Sequence, residues 1–299
     1  MLFNSFEFLL FLPTVFILYW FVFKNSRKYQ NVLLLLASYV FYAWWDYRFL
    51  SLILASTLVD FFIGRLLSRE ATKKNSKLLL SISLLFNLGL LGFFKYYNFF
   101  LESWVEAWGG VGVEMHTSTL QIILPVGISF YTFQTLSYTI DVFRKKLKAS
   151  KNLISFATYV AFFPQLVAGP IERATRLLPQ FSINRIFSYD KAKSGISLII
   201  WGFFKKVVIA VQIYGDFSGY SDIAIGVARL FGFDLMTNFK FPYFSKNIGD
   251  FWRRWHISLS TWFRDYVYIP LGGSQGSKWM QVRNVLIIFL ASGFWHGAN

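Results

Sequence analysis

Two histidines stand where the chain could do chemistry. The first, His296, ends an almost uncharged apolar run, Val285–Trp295. An ionisable side chain carried into a bilayer-length segment is costly and as a rule faces a cavity, a partner or a pathway. A neutral imidazole there can take a proton from a reacting hydroxyl, or it can simply bond between helices. The second, His256, lies in Asp250–Ser258, nine positions that also hold Arg253, Arg254 and two tryptophans. Arginines among tryptophans read either as an interfacial belt or as a basic, aromatic-walled mouth for an anionic ligand such as a nucleotide-bearing acyl donor. The third histidine, His116, falls in Asn98–Thr119, which carries Glu102, Glu106 and Glu114 but no Lys or Arg; it reads as an acidic outer loop in which the histidine is solvated.

The elements that position these residues must be membrane helices. Apolar residues make up 55% of the 299, aromatics 21%, and charged residues only 15%, against roughly 25% in a soluble domain. Thirty-six Phe and eleven Trp exceed what one soluble core of this length would bury. An all-α polytopic membrane protein follows. The absence of cysteine excludes a disulfide framework and thiolate metal or redox sites. A net charge of +15 invites a nucleic-acid partner, but the basic residues sit in short clusters between apolar runs, as the positive-inside rule places them. The N-terminus lacks the basic region of a cleavable signal and carries Glu7 instead, so the first run is expected to remain as a span.

Apolar runs cover Phe8–Phe23, Val32–Trp45, Phe49–Leu67, Leu78–Phe94 and Leu120–Phe143, and a full crossing needs about 20 residues. Basic clusters follow the first, third and fifth runs; Asp46-Tyr47-Arg48 and the acidic stretch Asn98–Thr119 follow the second and fourth. This alternation predicts five crossings, with the N-terminus outside and the basic loops cytoplasmic. It fails at Leu153–Ala168, which has basic flanks on both sides and is broken at Pro164 and Gly169-Pro170. A broken helix at membrane depth is tolerated only where protein or water covers the freed backbone, so a re-entrant element lining a cavity is expected, with a surface-lying helix as the alternative. No Gly-x-Ser-x-Gly elbow, Walker loop, His-Glu-x-x-His or dinucleotide fingerprint competes, and no metal site is expected.

Five stretches carry a likeness: Leu124–Asp141, Tyr159–Arg173, Gln212–Gly226, Asp250–Gly273 and Phe294–Gly297. With them the chain resembles the membrane-bound O-acyltransferase family, and within it the alginate O-acetyltransferase branch; the D-alanyl-transferring branch is the rival within the family. The resemblance implies a helical bundle with re-entrant elements around a central tunnel, in a bacterial inner membrane. It implies transfer of an acyl group, on this branch acetyl, from a cytoplasmic thioester such as acetyl-CoA, for O-acetylation of an exopolysaccharide such as alginate. It also implies a periplasmic acetyltransferase partner. The family's two histidines map to His296, regarded as catalytic and buried in the tunnel, and His256, nearer the cytoplasmic mouth. Arg253, Arg254, Lys205 and Lys206 are the candidates for holding the phosphates of the donor.

Two departures from the family pattern bear on organisation. The stretch like Phe203–Ala210 abuts the one like Gln212–Asp216, where relatives have intervening residues, so Ile196–Tyr214 reads as a single span interrupted by Lys205-Lys206. The chain also stops just past Trp-His-Gly. The expectation is one membrane-embedded domain over residues 1–299, shortened near 210–212 and truncated at its C-terminus. Other classes that fit are an inactive remnant, a scaffold of a polysaccharide machine, and a transporter or flippase.

Overall fold

The computed structural model describes residues 1–69, 72–111, 125–167, 169–208 and 212–296. His116, Glu114 and the start of the fifth apolar run lie outside the described residues. Every described element is helical: α1 (Phe6–Ile17), α2 (Arg27–Ala43), α3 (Leu50–Arg69), α4 (Lys73–Gly109), α5 (Ile128–Phe143), α6 (Leu153–Ala161), α7 (Phe163–Leu166), α8 (Ala174–Leu177), α9 (Tyr189–Val208), α10 (Gln212–Leu230), α11 (Ile248–Arg254), α12 (Ile257–Phe263) and α13 (Lys278–His296). A π-helical turn, Leu18–Val22, extends α1, and another, Arg264–Tyr268, extends α12. Two segments, Tyr47–Arg69 and Lys74–Gly109, are long and apolar enough to cross a membrane, and Phe6–Val22 and Leu153–Leu166 are shorter apolar helices.

The acidic stretch is not a loop throughout. Through Gly109 it continues α4, whose 37 residues reach about 55 Å, well beyond a hydrocarbon core of about 30 Å. No helix breaker interrupts Asn98–Trp108, so the helix runs on with Glu102 and Glu106 on its surface.

The centre of the molecule is α5 and the broken α6–α7 pair. From Ser155 to Leu166 every side chain is buried, as are most of those on α5. A surface-lying helix would keep one face exposed along its length; here exposure is confined to the first turn, at Leu153 and Ile154. The chain turns at Phe162, ahead of Pro164, whose ring cannot continue α6 without losing a bond to the preceding turn. The freed polar groups find partners: Phe163 N–H donates to Ser38 Oγ at 3.1 Å. Gln134 and Tyr159 then lock α5 to α6, the amide donating to the Tyr159 carbonyl (2.5 Å) and the phenol to the Gln134 carbonyl (2.9 Å).

Asp60, fully buried on α3, ties three helices together. It accepts from Ser83 Oγ (2.5 Å) and Asn87 Nδ2 (2.8 Å) on α4 and from Thr139 Oγ1 (3.1 Å) on α5. Apolar packing alone gives little preference for helix over lipid, so such polar contacts hold membrane helices together.

The run Ile196–Tyr214 is not one span. It is divided between α9 and α10, which pack antiparallel at backbone contact. A Cβ on Gly202 would come within 2.6 Å of the Gly219 carbonyl, and one on Gly195 within 2.7 Å of the Gly226 carbonyl. Two glycines seven residues apart on each helix let the backbones meet, the small-residue packing that association in lipid favours.

Candidate functional site

The candidate site begins with a tight turn between two seven-residue helices. His256 joins α11 to α12 in the left-handed region, φ 41° and ψ 54°. A side chain with a Cβ held there costs about 1–3 kcal/mol, which the surrounding contacts must offset. What holds it is Asn238, buried in the irregular segment between α10 and α11. The Asn238 carbonyl accepts from Ile257 N–H (2.9 Å), and Lys240 N–H donates to the Arg254 carbonyl (3.0 Å), so the chain before α11 brackets the turn on both sides.

The Asn238 side chain sets the chemistry of the histidine. Its Oδ1 receives Ser258 Oγ at 3.0 Å and the Ser258 backbone N–H at 3.4 Å. A backbone N–H can only donate, so Oδ1, not Nδ2, faces this turn, and His256 Nδ1 at 3.0 Å must then carry the proton. Nε2 is left with its lone pair, buried and with no partner among the described residues. Burial first, and the charge of a protonated His296 second, push the His256 imidazole down to about 3. It is a neutral base at any physiological pH. Ser258 Oγ also accepts from Ile171 N–H (3.0 Å), which connects the turn to the Gly169-Pro170 break.

The two histidines share one cavity of about 620 Å³. Its walls are Trp252 of α11, Trp255 and His256 in the turn that follows, the α12 face of Leu259, Ser260 and Phe263, the π-turn residues Arg264 and Tyr268, and the α13 stripe from Val285 to His296. Trp295 stands between the histidines, its ring centroid 6.1 Å from His256 and 4.6 Å from His296. Phe133 on α5 backs it at 5.7 Å. His296 itself is exposed on the cavity wall rather than enclosed, because α13 buries only Asn284 and Trp295 among the described residues.

The basic candidates divide. Lys205, 5% exposed, donates to Asp222 (2.5 Å) and Ser218 (3.0 Å) across the α9–α10 hairpin, and Lys206 pairs with Asp216 (3.1 Å). Both charges are spent on helix pairing, and neither lines the cavity. Arg254 pairs with Asp250 at 3.0 Å, four residues earlier on α11; Arg253 is exposed beside Trp252 and also lies off the cavity wall. The cation that does line it is Arg264, which sequence reasoning passed over. Among the described residues only its Nε is engaged, donating to Asp265 Oδ1 at 2.7 Å, and its side chain is 57% exposed. The π-turn that presents it is fixed by Asp265, which pairs with Arg173, and by Tyr266, which donates to Asp141 Oδ2 (2.7 Å) between the Arg144 and Arg173 guanidiniums. Asn238 was also missed. Its only signal in the sequence is an amide among apolar and aromatic neighbours.

A neutral base, a second histidine 40 residues further on and one guanidinium around an apolar cavity suit proton transfer from a hydroxyl beside an anionic ligand. A model of the membrane-bound O-acyltransferase family matches residues 185–299, which hold every one of these cavity residues. Across its whole length the chain is 43% identical to a probable alginate O-acetylase of Pseudomonas syringae pv. tomato and spans 63% of that protein. It is 42% identical to a probable alginate O-acetylase of Pseudomonas putida and 34% identical to a peptidoglycan O-acetyltransferase of Helicobacter pylori, spanning 67% of each. The likeness therefore runs through the helical scaffold as well as the cavity, and the chain is a membrane protein that belongs to the membrane-bound O-acyltransferase family.

Proposed function

We propose that the protein is a multi-pass inner-membrane O-acyltransferase that moves an acetyl group from a cytoplasmic thioester, acetyl-CoA or a similar donor, toward O-acetylation of an exopolysaccharide such as alginate. The observation that carries the reading is the placement of His256 and His296 on one cavity. In the proposed reaction, His296 takes the proton of the acceptor hydroxyl as its oxygen attacks the thioester carbonyl. The carbon–oxygen bond forms, the carbon–sulfur bond breaks, and the proton passes to the departing thiolate. The buried Nε2 of His256 faces the same space as a neutral acceptor that orients the hydroxyl. Arg264 meets an anionic group of the donor, since it is the cation on the wall.

The remaining features of the reading are the family's tunnel, an N-terminus outside the membrane, and a periplasmic acetyltransferase that hands the acetyl group to the polysaccharide. The unbroken burial from Ser155 to Leu166 supports a re-entrant element beside that tunnel. The test is His296→Ala in the full chain. Acetylation of the polysaccharide should fall to background while membrane insertion and thermal stability are kept. Retained acetylation would overturn the assignment, and solute uptake without acyl transfer would replace it with transport.

A further inference from the structure

We infer that Lys95 is a positioning residue for His296, holding the last turn of α13 through the Trp295 carbonyl. Lys95 is the one charged residue of α4 between Lys77 and Glu102, inside a segment apolar enough to cross a membrane. No carboxylate lies within ion-pair distance of it among the described residues, so its charge is not explained by a salt bridge. Its Nζ instead donates to the backbone oxygen of Trp295 and lies 5.7 Å from the centre of that residue's ring. Cations near the last carbonyls of a helix are favourable because those groups carry the negative end of the helix dipole.

The next residue grips the same turn. Tyr96 stacks on Phe294 with centroids 4.2 Å apart and planes within 9°. Two consecutive residues of α4 thus clamp the two residues before His296. This matters because α13 has few other anchors. Asn284 holds its opposite end, donating to the Leu271 (3.2 Å) and Gly273 (3.0 Å) carbonyls, and the intervening surface is largely exposed. A clamp at Trp295 fixes the rotation and height of the imidazole against the cavity.

This inference rests on the reading of His296 as the base, and the experiment separates the two. The full chain is assayed in native membranes with acetyl-CoA as donor, as Lys95→Met, Lys95→Arg and His296→Ala, each normalised to folded protein. A positioning role predicts that Lys95→Met lowers kcat on the order of ten- to a hundredfold, the scale of a misplaced catalytic group, with KM for acetyl-CoA and the thermal midpoint kept. Lys95→Arg, which can still donate to the carbonyl, should restore most of the activity. Wild-type kcat in Lys95→Met overturns the positioning role, as does a loss matched by a fall in thermal midpoint that Lys95→Arg leaves uncorrected. Activity in His296→Ala overturns the catalytic reading itself, whatever the lysine variants do.

Discussion

His256 Nδ1 lies 3.0 Å from Asn238 Oδ1, and the Ser258 backbone N–H on the same oxygen fixes which partner donates. One amide thus selects the tautomer of a buried imidazole and leaves its Nε2 lone pair without a partner among the described residues, on a ring that lines the cavity shared with His296.

Asn238→Ala removes the acceptor for three donors at once: the imidazole, the Ser258 hydroxyl and its backbone N–H. Buried donors left without partners cost about 1–3 kcal/mol each, partly recovered by relaxation. Thermal unfolding should show a loss of about 3 kcal/mol, with acetyl transfer reduced on the order of tenfold or more, since the hydrogen-bond partner of one imidazole nitrogen fixes the tautomer and orientation of the ring. Asn238→Asp, which keeps the acceptor, should be milder, and equal loss in both variants would contradict the tautomer argument.

The buried neutral state of His256 makes stability depend on pH. Its folded pKa, about 3, lies below the unfolded value of 6.5, so the unfolded chain binds the extra proton between them. The stabilisation is complete above 6.5 and lost as pH falls toward 3, at up to about 1.4 kcal/mol per pH unit. Glu172, pushed up to about 7 by burial in the Gly169–Arg173 connection, works in the opposite sense between its unfolded value of 4.5 and 7. The informative quantity is the difference between variants. His256→Asn, which can still donate to Asn238, should lose less stability than wild type between pH 6.5 and 4; parallel curves would refute the assignment.

Arg264 presents a partly free guanidinium to the cavity. A hydrogen bond to a charged group contributes about 1.5–3 kcal/mol. Arg264→Ala should therefore raise KM for acetyl-CoA on the order of tenfold or more with kcat nearly kept, whereas Arg253→Ala and Lys206→Ala should leave KM within about twofold. A larger KM effect at Arg253 than at Arg264 would move donor binding out of this cavity.

Lys205 and Asp222 form a buried pair between α9 and α10. Removing one partner leaves a buried charge and costs about 3–5 kcal/mol, while replacing both is far cheaper. Lys205→Met should destabilise the folded protein and Lys205→Met with Asp222→Leu should recover most of the loss, measured as thermal midpoint in detergent. An equally damaged double variant would mean that the pair contributes something other than charge balance.

Gly202→Val would set its Cβ within 2.6 Å of the Gly219 backbone oxygen, a clash that no rotamer relieves. The hairpin should fail to form, and the full chain should be degraded or recovered unfolded. Gly89→Ala, where a Cβ meets nothing within 4 Å, should be tolerated and serves as the control.

Class and helix content were legible from residue types, and so were two histidines that the fold brings to one cavity. Apolar run length and the lone ionisable group at the end of one run are local properties, and bilayer physics reads them directly. The break at Phe162–Pro164 was legible for the same reason, since proline acts on its own turn. The Asn98–Gly109 segment misled because acidic residues mark a solvated surface without saying whether the backbone there is coiled or helical. The pairing of α9 with α10 was hidden because a glycine face means close approach only once its partner is known.

The sequence by itself determined a helical membrane protein, its broken central segment and the histidines that could act. Tertiary structure decided which charges are available to a ligand and which are consumed. Lys205 and Lys206 stand side by side in the chain, yet each meets a carboxylate on α10, while Arg264, unremarkable in sequence, reaches the cavity because Arg173 and Asp141 hold the π-turn that carries it. A charge is free or paired according to what lies within a few ångströms of it, and that distance is set by helices far apart in sequence.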